Sequence, residues 1–242
     1  MKIAHLDLEC SNLNADWGVI ICGCIKWDNG KSKGKLESFR MTDYDQKDMM
    51  DDSGVCMAMR DALDTADMWV SWYGAKFDIP YLQARLLNHG EKTASTLTPH
   101  VDLWRTSRYQ LKVSSNRLAN VQRFFKLKAS KTPIDQGVWF KAIAGHSPSM
   151  NEVVKHCKED VKMLEEMYHI FLPLIKGHPN IELFKEKPVD DPTCPKCGSS
   201  HLWRHGYKVT KTRKYQKWHC QNCGSVSSNR SSEVVQQPPL TA

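Results

Sequence analysis

The chain has 242 residues, of which 40% are hydrophobic and 25% charged, with 34 Lys/Arg against 27 Asp/Glu. That length holds one domain with a full core plus a small second module. No apolar run approaches the ~20 residues that a membrane span needs, and MKIAHLDLECSN lacks the apolar stretch of a signal peptide. The reading is a cytoplasmic protein with no membrane partner.

The chain opens with KIAHLDLE, which alternates as a strand, followed by a second strand in WGVIICGCIKW and a third in KLESFR beyond the turn at WDNGKSKG. These predict a three-stranded antiparallel opening. Residues 45–66 read as a helix, then MWVSWY as an apolar strand, a turn at Gly74 and a helix over FDIPYLQARLL. HVDLWR is a further strand, ahead of helices around LANVQRFF, GVWFKAIAG and NEVVKHCKEDVKMLEEMYHIF. Antiparallel strands followed by strand–helix alternation predict an α/β fold whose mixed sheet is flanked by helices. KEKPVDDPT, with its charges and two prolines, reads as a linker. The expected organisation is a domain over residues 1–184, a linker at 185–193, a small module at 194–226 and a disordered tail at 227–242.

Three carboxylate positions and one histidine call for a common explanation. Successive strand residues face opposite sides, so Asp7 and Glu9 share a face about 7 Å apart while Leu6 and Leu8 face the core. Taken alone, the pair reads equally as a solvated edge. Asp78 stands where a strand passes to a helix, either as an ordinary N-cap or as a carboxylate at the end of the sheet, where α/β sites collect. In the last helix Ser149 and Glu152 fit a capping box. Val153, Val154, Cys157, Val161, Leu164, Tyr168 and Phe171 fall in one sector, and Lys155, Lys158, Glu159, Lys162, Glu165 and Glu166 lie opposite. His156, Asp160, Met163 and Met167 occupy the flank between them. Asp160 is thus the one acid after the capping turn that leaves the solvated face, with His156 one turn before it. Clustered acids raise one another's pKa unless cations neutralise them, which points to two Mg²⁺ or Mn²⁺ ions. His156 would then serve as general base or orient a water; the alternative is an ordinary flank histidine.

In order, DLE, YGAKFD and H-x-x-x-D in a late helix resemble the DEDD superfamily of 3′-5′ exonucleases, and FDIPYLQARLLNHG, HVDLWR, RLANVQRFFKLK, GVWFKAIAG and KEDVKMLEEMY resemble its RNase H-like predicted-exonuclease branch of bacteria and phages. The resemblance covers residues 1–175. It implies an RNase H-like fold, a metal-dependent 3′-5′ exonuclease and metal ligation by Asp7, Glu9, Asp78 and Asp160. In the family the segment after the first acidic pair lines the site of the terminal nucleotide, so the resemblance makes Cys10, Ser11, Asn12 and Leu13 candidate substrate contacts; the alternative for each is an ordinary loop residue. One position departs from the pattern: the superfamily has Tyr four residues before the last Asp or His five before it, and this chain has His156 at the first spacing and Lys155 at the second. Asp102 reads either as a carboxylate supporting the site or as a structural one. Lys128 and Lys131 are candidate phosphate contacts or ordinary loop residues.

The nine cysteines are unevenly distributed, and four of them form CPKCG at Cys194/Cys197 and CQNCG at Cys220/Cys223. An odd total without a secretory signal argues against a disulfide framework and for one closed structural Zn²⁺ site on four thiolates. Residues 188–242 hold eight Lys/Arg and three Asp/Glu, so most of the +7 net charge lies there. SHLWRHGYKVTKTRKYQKWHC resembles the hairpin of transposase-type zinc ribbons. Arg204, Lys208, Lys211, Arg213 and Lys214 are candidate phosphate contacts, while Trp203 and Trp218 either stack bases or form the module's own core. The expected partner is nucleic acid, DNA ahead of RNA, with a protein partner for the ribbon as the other option. Three functions stay open: a 3′-5′ exonuclease, a structure-selective endonuclease on the same scaffold, and a non-catalytic nucleic-acid-binding adaptor.

Overall fold

The computed structural model describes residues 1–28, 34–127, 134–184 and 192–233. Lys128 and Lys131 lie outside the described residues, as does most of the expected linker. Contact density divides the chain into two units, Met1–Tyr168 and His169–Ala242.

In the first unit, β1 (Ile3–Cys10), β2 (Ile20–Asp28), β3 (Leu36–Arg40), β4 (Met68–Ser71) and β5 (His100–Asp102) form one sheet in the order β3-β2-β1-β4-β5. The pairs β1/β2 and β2/β3 are antiparallel, and β1/β4 and β4/β5 are parallel. The sheet is therefore mixed, as the sequence predicts. Helices α1 (Ser53–Asp64), α2 (Asp78–Asn88), α3 (Leu103–Gln110), α4 (Leu118–Phe124), α5 (Gln136–Ile143) and α6 (Ser147–Phe171) complete the chain's helical part.

The alternation of β1 sorts its residues between two helical layers. Ala4, Leu6 and Leu8 pack with Val55, Cys56, Met59 and Leu63 of α1 and Tyr81, Leu82 and Leu86 of α2. The opposite face meets α6: His5 sits edge-on to Tyr168 at 5.3 Å between ring centres, and the Cys157 thiol donates to the Asp7 carbonyl at 3.4 Å. The last helix is buried over a wider sector than its aliphatic stripe predicts, because Asp160, Met163 and Met167 are buried with it. Glu165, expected on the solvated side, reaches Lys26 of β2 at 3.4 Å.

Two helix starts differ from the sequence reading. α1 begins at Ser53 rather than near residue 45, since Asp51 turns the preceding chain back by accepting from the Lys47 and Ser53 amides at 3.0 Å each. α6 begins at Ser147, and the Ser149 hydroxyl is engaged with Nδ1 of His146 at 2.9 Å rather than capping toward Glu152.

Asp52, fully buried at the start of α1, accepts from the Ile20 amide at 2.7 Å, from the Arg85 guanidinium at 2.7–3.1 Å and meets Nε2 of His89 at 2.6 Å. Arg85 also donates to the carbonyls of Ala15 and Met50. This network ties the loop after β1 to α1 and α2. Asp52→Ala strands a buried guanidinium, and the expected loss is about 3–5 kcal/mol of stability, to be measured by urea unfolding.

In the second unit, β6 (Leu202–Val209), β7 (Lys214–Cys220) and β8 (Val226–Ser228) make an antiparallel sheet in that order. The third strand reaches Ser228, inside the segment read as tail. Indole N–H of Trp218 donates to Asn229 at 2.7 Å, and the Glu233 amide donates to the Lys214 carbonyl at 2.9 Å. Within the second unit, part of residues 169–184 is bonded to the cysteine module. Lys196 Nζ donates to the carbonyls of Leu172, Pro173 and Ile175 at 2.6, 3.3 and 2.8 Å, and the Ile181 amide donates to Pro195. A lysine gathering the end carbonyls of α6 and the turn after it is a favourable C-terminal charge.

Candidate metal centre

The first unit's site forms where β1 outruns its parallel neighbour. β4 pairs with β1 only from Ile3 to His5, so the strand beyond Leu6 has no β4 partner on that edge. The amide of Leu8 instead donates to Oδ1 of Asp78 at 2.9 Å. Asp78 is thus not the N-cap of α2, a position held by Phe77; it is the first helical residue, and its carboxylate extends the ladder of β1. A register shift between Glu9 and Cys10 marks the same point, a bulge of the kind that re-aims side chains beside sites.

The turn delivering Asp78 requires Gly74. A Cβ there would come within 3.0 Å of Asp78 Oδ2 and collide with the Ser71 side chain, whose hydroxyl accepts the Gly74 amide at 3.1 Å. Asp102, buried at the end of β5, accepts from the amides of Tyr73 at 2.9 Å, Ala75 at 3.3 Å and Trp104 at 3.0 Å. It both caps α3 and pins the turn that carries Asp78.

Ligand atoms of Asp7, Glu9 and Cys157 lie within 4.8 Å of one another, and so do those of Glu9, His156 and Asp160. Glu9 is common to both groups. His156 therefore comes within the cluster despite standing four residues before Asp160. Asp160 is 4% exposed and Asp78 is 4% exposed, and burial, opposed by the Leu8 N–H and reinforced by the charge of Asp102, moves the Asp78 carboxyl up to about 7. The Cys10 thiol is pushed up by burial and then by the charges of Asp78, Glu9 and Asp7, so all three carboxylates face its neighbourhood. The structure thus brings Asp7, Glu9 and Asp160 together, the first two half-buried, while Asp78 belongs to neither group; carboxylates so close together suit a divalent cation. A carboxylate-rich set with one imidazole matches the hard ions Mg²⁺ and Mn²⁺, and Cys157, whose thiol burial holds protonated, is a packing residue in that company.

A pocket of about 370 Å³ opens beside the acids, lined by Leu8–Leu13 and Phe77 on one side and by Gln136, Trp139, Phe140 and Ile143 on the other. Asn12 and Leu13 are there: Asn12 Oδ1 accepts the Asn14 amide at 3.0 Å, and Leu13 is 80% exposed. The α5 wall was not singled out by sequence. Its only signal was the aromatic pair Trp139–Phe140 in a short apolar helix, of which Phe140 is exposed and Trp139 half-buried.

A family model described as RNase_H superfamily matches residues 4–172, more than two thirds of the chain. The chain belongs to the RNase_H superfamily. That membership supports a metal-dependent nuclease acting on nucleic acid, since RNase H-like nucleases use divalent metal ions. Among solved structures, the family B DNA polymerase of the hyperthermophilic archaeon Pyrobaculum calidifontis is similar to it at 18% identity and a TM-score of 0.55, over 71% of this chain and 25% of the polymerase. At that identity the likeness speaks for the fold, and the chain spans a quarter of the polymerase's length. A search of the curated proteins found no match. No described helix is long and apolar enough to cross a membrane.

In the second unit, ligand atoms of Cys194, Cys197, Cys220 and Cys223 lie within 4.8 Å of one another. The two C-x-x-C-G turns repeat each other: Gly198 and Gly224 have φ of 71° and 75°, and their amides donate to the carbonyls of Cys194 and Cys220. Positive φ is why glycine follows each pair. The cluster is compatible with a zinc ribbon. Arg204, Lys208, Lys211 and Arg213 are exposed, whereas Lys214 Nζ lies 3.6 Å over the Tyr207 ring and 3.8 Å from Glu233. Trp203 is half exposed and stacks toward His205, while Trp218 is bonded into the sheet's edge through Asn229.

Proposed function

We propose that this RNase_H superfamily member is a 3′-5′ exonuclease that hydrolyses phosphodiester bonds of DNA in preference to RNA. Asp7, Glu9, Asp78 and Asp160 are its metal ligands and His156 its general base or water-orienting group. The observation that carries this reading is Glu9, which belongs at once to the group with Asp7 and to the group with His156 and Asp160. Asp7, Glu9 and Asp160, brought together in this way, would hold divalent ions. Two bound Mg²⁺ or Mn²⁺ ions supply an activated water and stabilise the leaving oxygen. The protein's own groups fix the carboxylates through the Leu8 amide and the Asp102-pinned turn, and His156 stands beside Glu9 and Asp160 to take or aim a proton. The 370 Å³ pocket, with Asn12 and Leu13 on one wall and Trp139 and Phe140 on the other, supports a terminal-nucleotide site. The Cys₄ module is read as a Zn²⁺-held ribbon that assists nucleic-acid binding, in a cytoplasmic setting.

Digestion of 5′-labelled single- and double-stranded DNA and RNA with Mg²⁺ or Mn²⁺ tests the reading. A ladder shortening from the 3′ end supports it. Discrete internal cuts replace it with an endonuclease, and tight binding without metal-dependent cleavage replaces it with an adaptor. His156→Ala is expected to lower the single-turnover rate by about 10²–10⁴-fold at saturating metal, and an unchanged rate removes His156 from the mechanism.

A further inference from the structure

Outside the metal centre, the first unit carries a second feature that points to a nucleic acid. Residues 103–134 contain eight Lys/Arg and no Asp or Glu, whereas the remainder of the first unit, residues 1–168, contains 15 Lys/Arg against 22 Asp/Glu. A solidly basic stretch in an otherwise acidic unit is an electrostatic footprint for a polyanion. In the fold its residues 103–124 become α3, the loop after it and α4, and Arg108 and Arg117 are exposed there.

The same segment supplies Trp104, Arg108, Asn116 and Arg117 to the lining of a pocket of about 820 Å³, which Trp72 and Tyr73, just after β4, complete. The rings are held in place before any ligand arrives. Trp104 and Tyr73 meet edge to face at 5.0 Å and 70°. The indole N–H of Trp72 donates to the Asn116 carbonyl at 3.2 Å, and the Asn116 side chain accepts from the Ser107 hydroxyl at 2.7 Å. Tyr73 adopts φ of 69°, a left-handed conformation that an aromatic residue rarely takes and that clusters at ligand sites. The Asp102 carboxylate holds it there by accepting its amide. Tyr73 is also five residues before Asp78 on the turn that builds the metal centre, so the pocket adjoins the carboxylates along the chain.

We propose that this pocket binds a single-stranded segment of the substrate upstream of the cleaved bond, with an unpaired base stacked on Tyr73 and Trp104 and its phosphates on Arg108 and Arg117. The assignment rests on the nuclease reading for its link to the cleaved bond. Fixed aromatic faces beside arginines are the recurring design of single-strand sites, because a base offers its π face only when it leaves the duplex.

The test uses the full-length protein without added Mg²⁺ or Mn²⁺ and a single-stranded 12-residue oligodeoxynucleotide carrying 5-bromouracil. Ultraviolet cross-linking followed by peptide mapping is expected to mark Trp72, Tyr73 or Trp104. Arg108→Ala/Arg117→Ala replaces two exposed side chains and leaves the fold in place. It is expected to raise Kd about tenfold and to reduce the salt slope by roughly 0.7 per arginine. Cross-links confined to residues 192–233, an unchanged Kd and slope, or equal binding of a 12-base-pair duplex would overturn the proposal. Neither readout needs cleavage, so an inactive but cross-linking protein fails the exonuclease reading alone, and an active one without these cross-links fails this proposal alone.

Discussion

Asp78→Asn is expected to abolish metal-dependent cleavage and, at the same time, to make the metal-free protein more stable at pH 8. Both effects follow from where the carboxylate sits. Asp78 is 4% exposed and is moved up to about 7 by burial, against the Leu8 N–H and with the charge of Asp102. In the unfolded chain the same group has a value of 3.8. Between those two values the folded state holds a proton that the unfolded state has released. Stability is therefore lost as pH rises from about 4 to 7 and stays low above it. Asparagine copies the neutral carboxyl in shape, and its Oδ1 can still accept the Leu8 amide. The substitution should recover up to about 4 kcal/mol at pH 8, seen as a rise in Tm of roughly 5–15 °C in metal-free protein.

On the proposed ligand set the same substitution would also remove a charged ligand, and a lost metal contribution of several kcal/mol corresponds to about 10³-fold or more in rate. In the native protein, Mg²⁺ or Mn²⁺ should raise Tm by mass action, and Asp78→Asn should suppress that rise. Since Asp78 must lose its proton to bind an ion, the Mg²⁺ concentration for half-maximal cleavage should climb as pH falls from 8 to 6. Wild-type cleavage by Asp78→Asn would exclude Asp78 from the site, and a fall in Tm would show that its ionised form is not the strained one.

What the sequence conveyed about this site was local. Asp7 and Glu9 are legible because strand alternation is a two-residue rule, and Asp160 because a helix wheel separates it from the solvated acids. The partners those residues find across the fold were not legible. Asp78 looks like an N-cap in DIPYLQAR, and only the early end of β4 frees the Leu8 amide, 70 residues away, to receive it. Nothing in their spacing marks Asp52, Arg85 and His89 as partners, and only the fold brings them together in a buried network. Cys157 falls on the aliphatic stripe, and nothing in its spacing announces Asp7 and Glu9 as neighbours. The basic stretch at residues 103–134 was open to view, but counting charge over residues 1–187 as one block set its eight Lys/Arg against the acids elsewhere. Trp72, Tyr73 and Trp104 acquire meaning only when β4 and α3 bring them to one pocket.

The largest structural effect is expected from the cysteine module. Cys220→Ser should release one equivalent of Zn²⁺ and unfold residues 192–233, because very little else holds that segment. β6 is exposed along nearly its whole length, and only Gln216 and Cys220 are buried in β7. A sheet of this size cannot offset its conformational entropy from so small a core, and modules below about 40 residues ordinarily need a metal or a disulfide. The thiols sit ready for an ion, with Cys194 and Cys223 sulfurs 3.6 Å apart and Cys197 and Cys220 sulfurs 3.6 Å apart. Burial pushes the Cys194 and Cys197 thiols up, while Cys220 lies below the ordinary thiol value because the backbone N–H groups of Cys223 and Asn222 outweigh its burial. Protons on the raised pair compete with the ion, so zinc affinity should weaken as pH falls from 8 to 6. Structural zinc in small fingers contributes about 10–16 kcal/mol, far more than the sheet can replace. Metal analysis of the purified variant and amide exchange over residues 192–233 are the direct measurements. Exchange protection that persists without zinc would mean that the contacts of Lys196 with Leu172, Pro173 and Ile175 suffice to fold the module. If it unfolds, Arg204, Lys208, Lys211 and Arg213 lose their fixed spacing, and nucleic-acid affinity should fall together with its salt dependence while the single-turnover rate on bound substrate stays within about twofold.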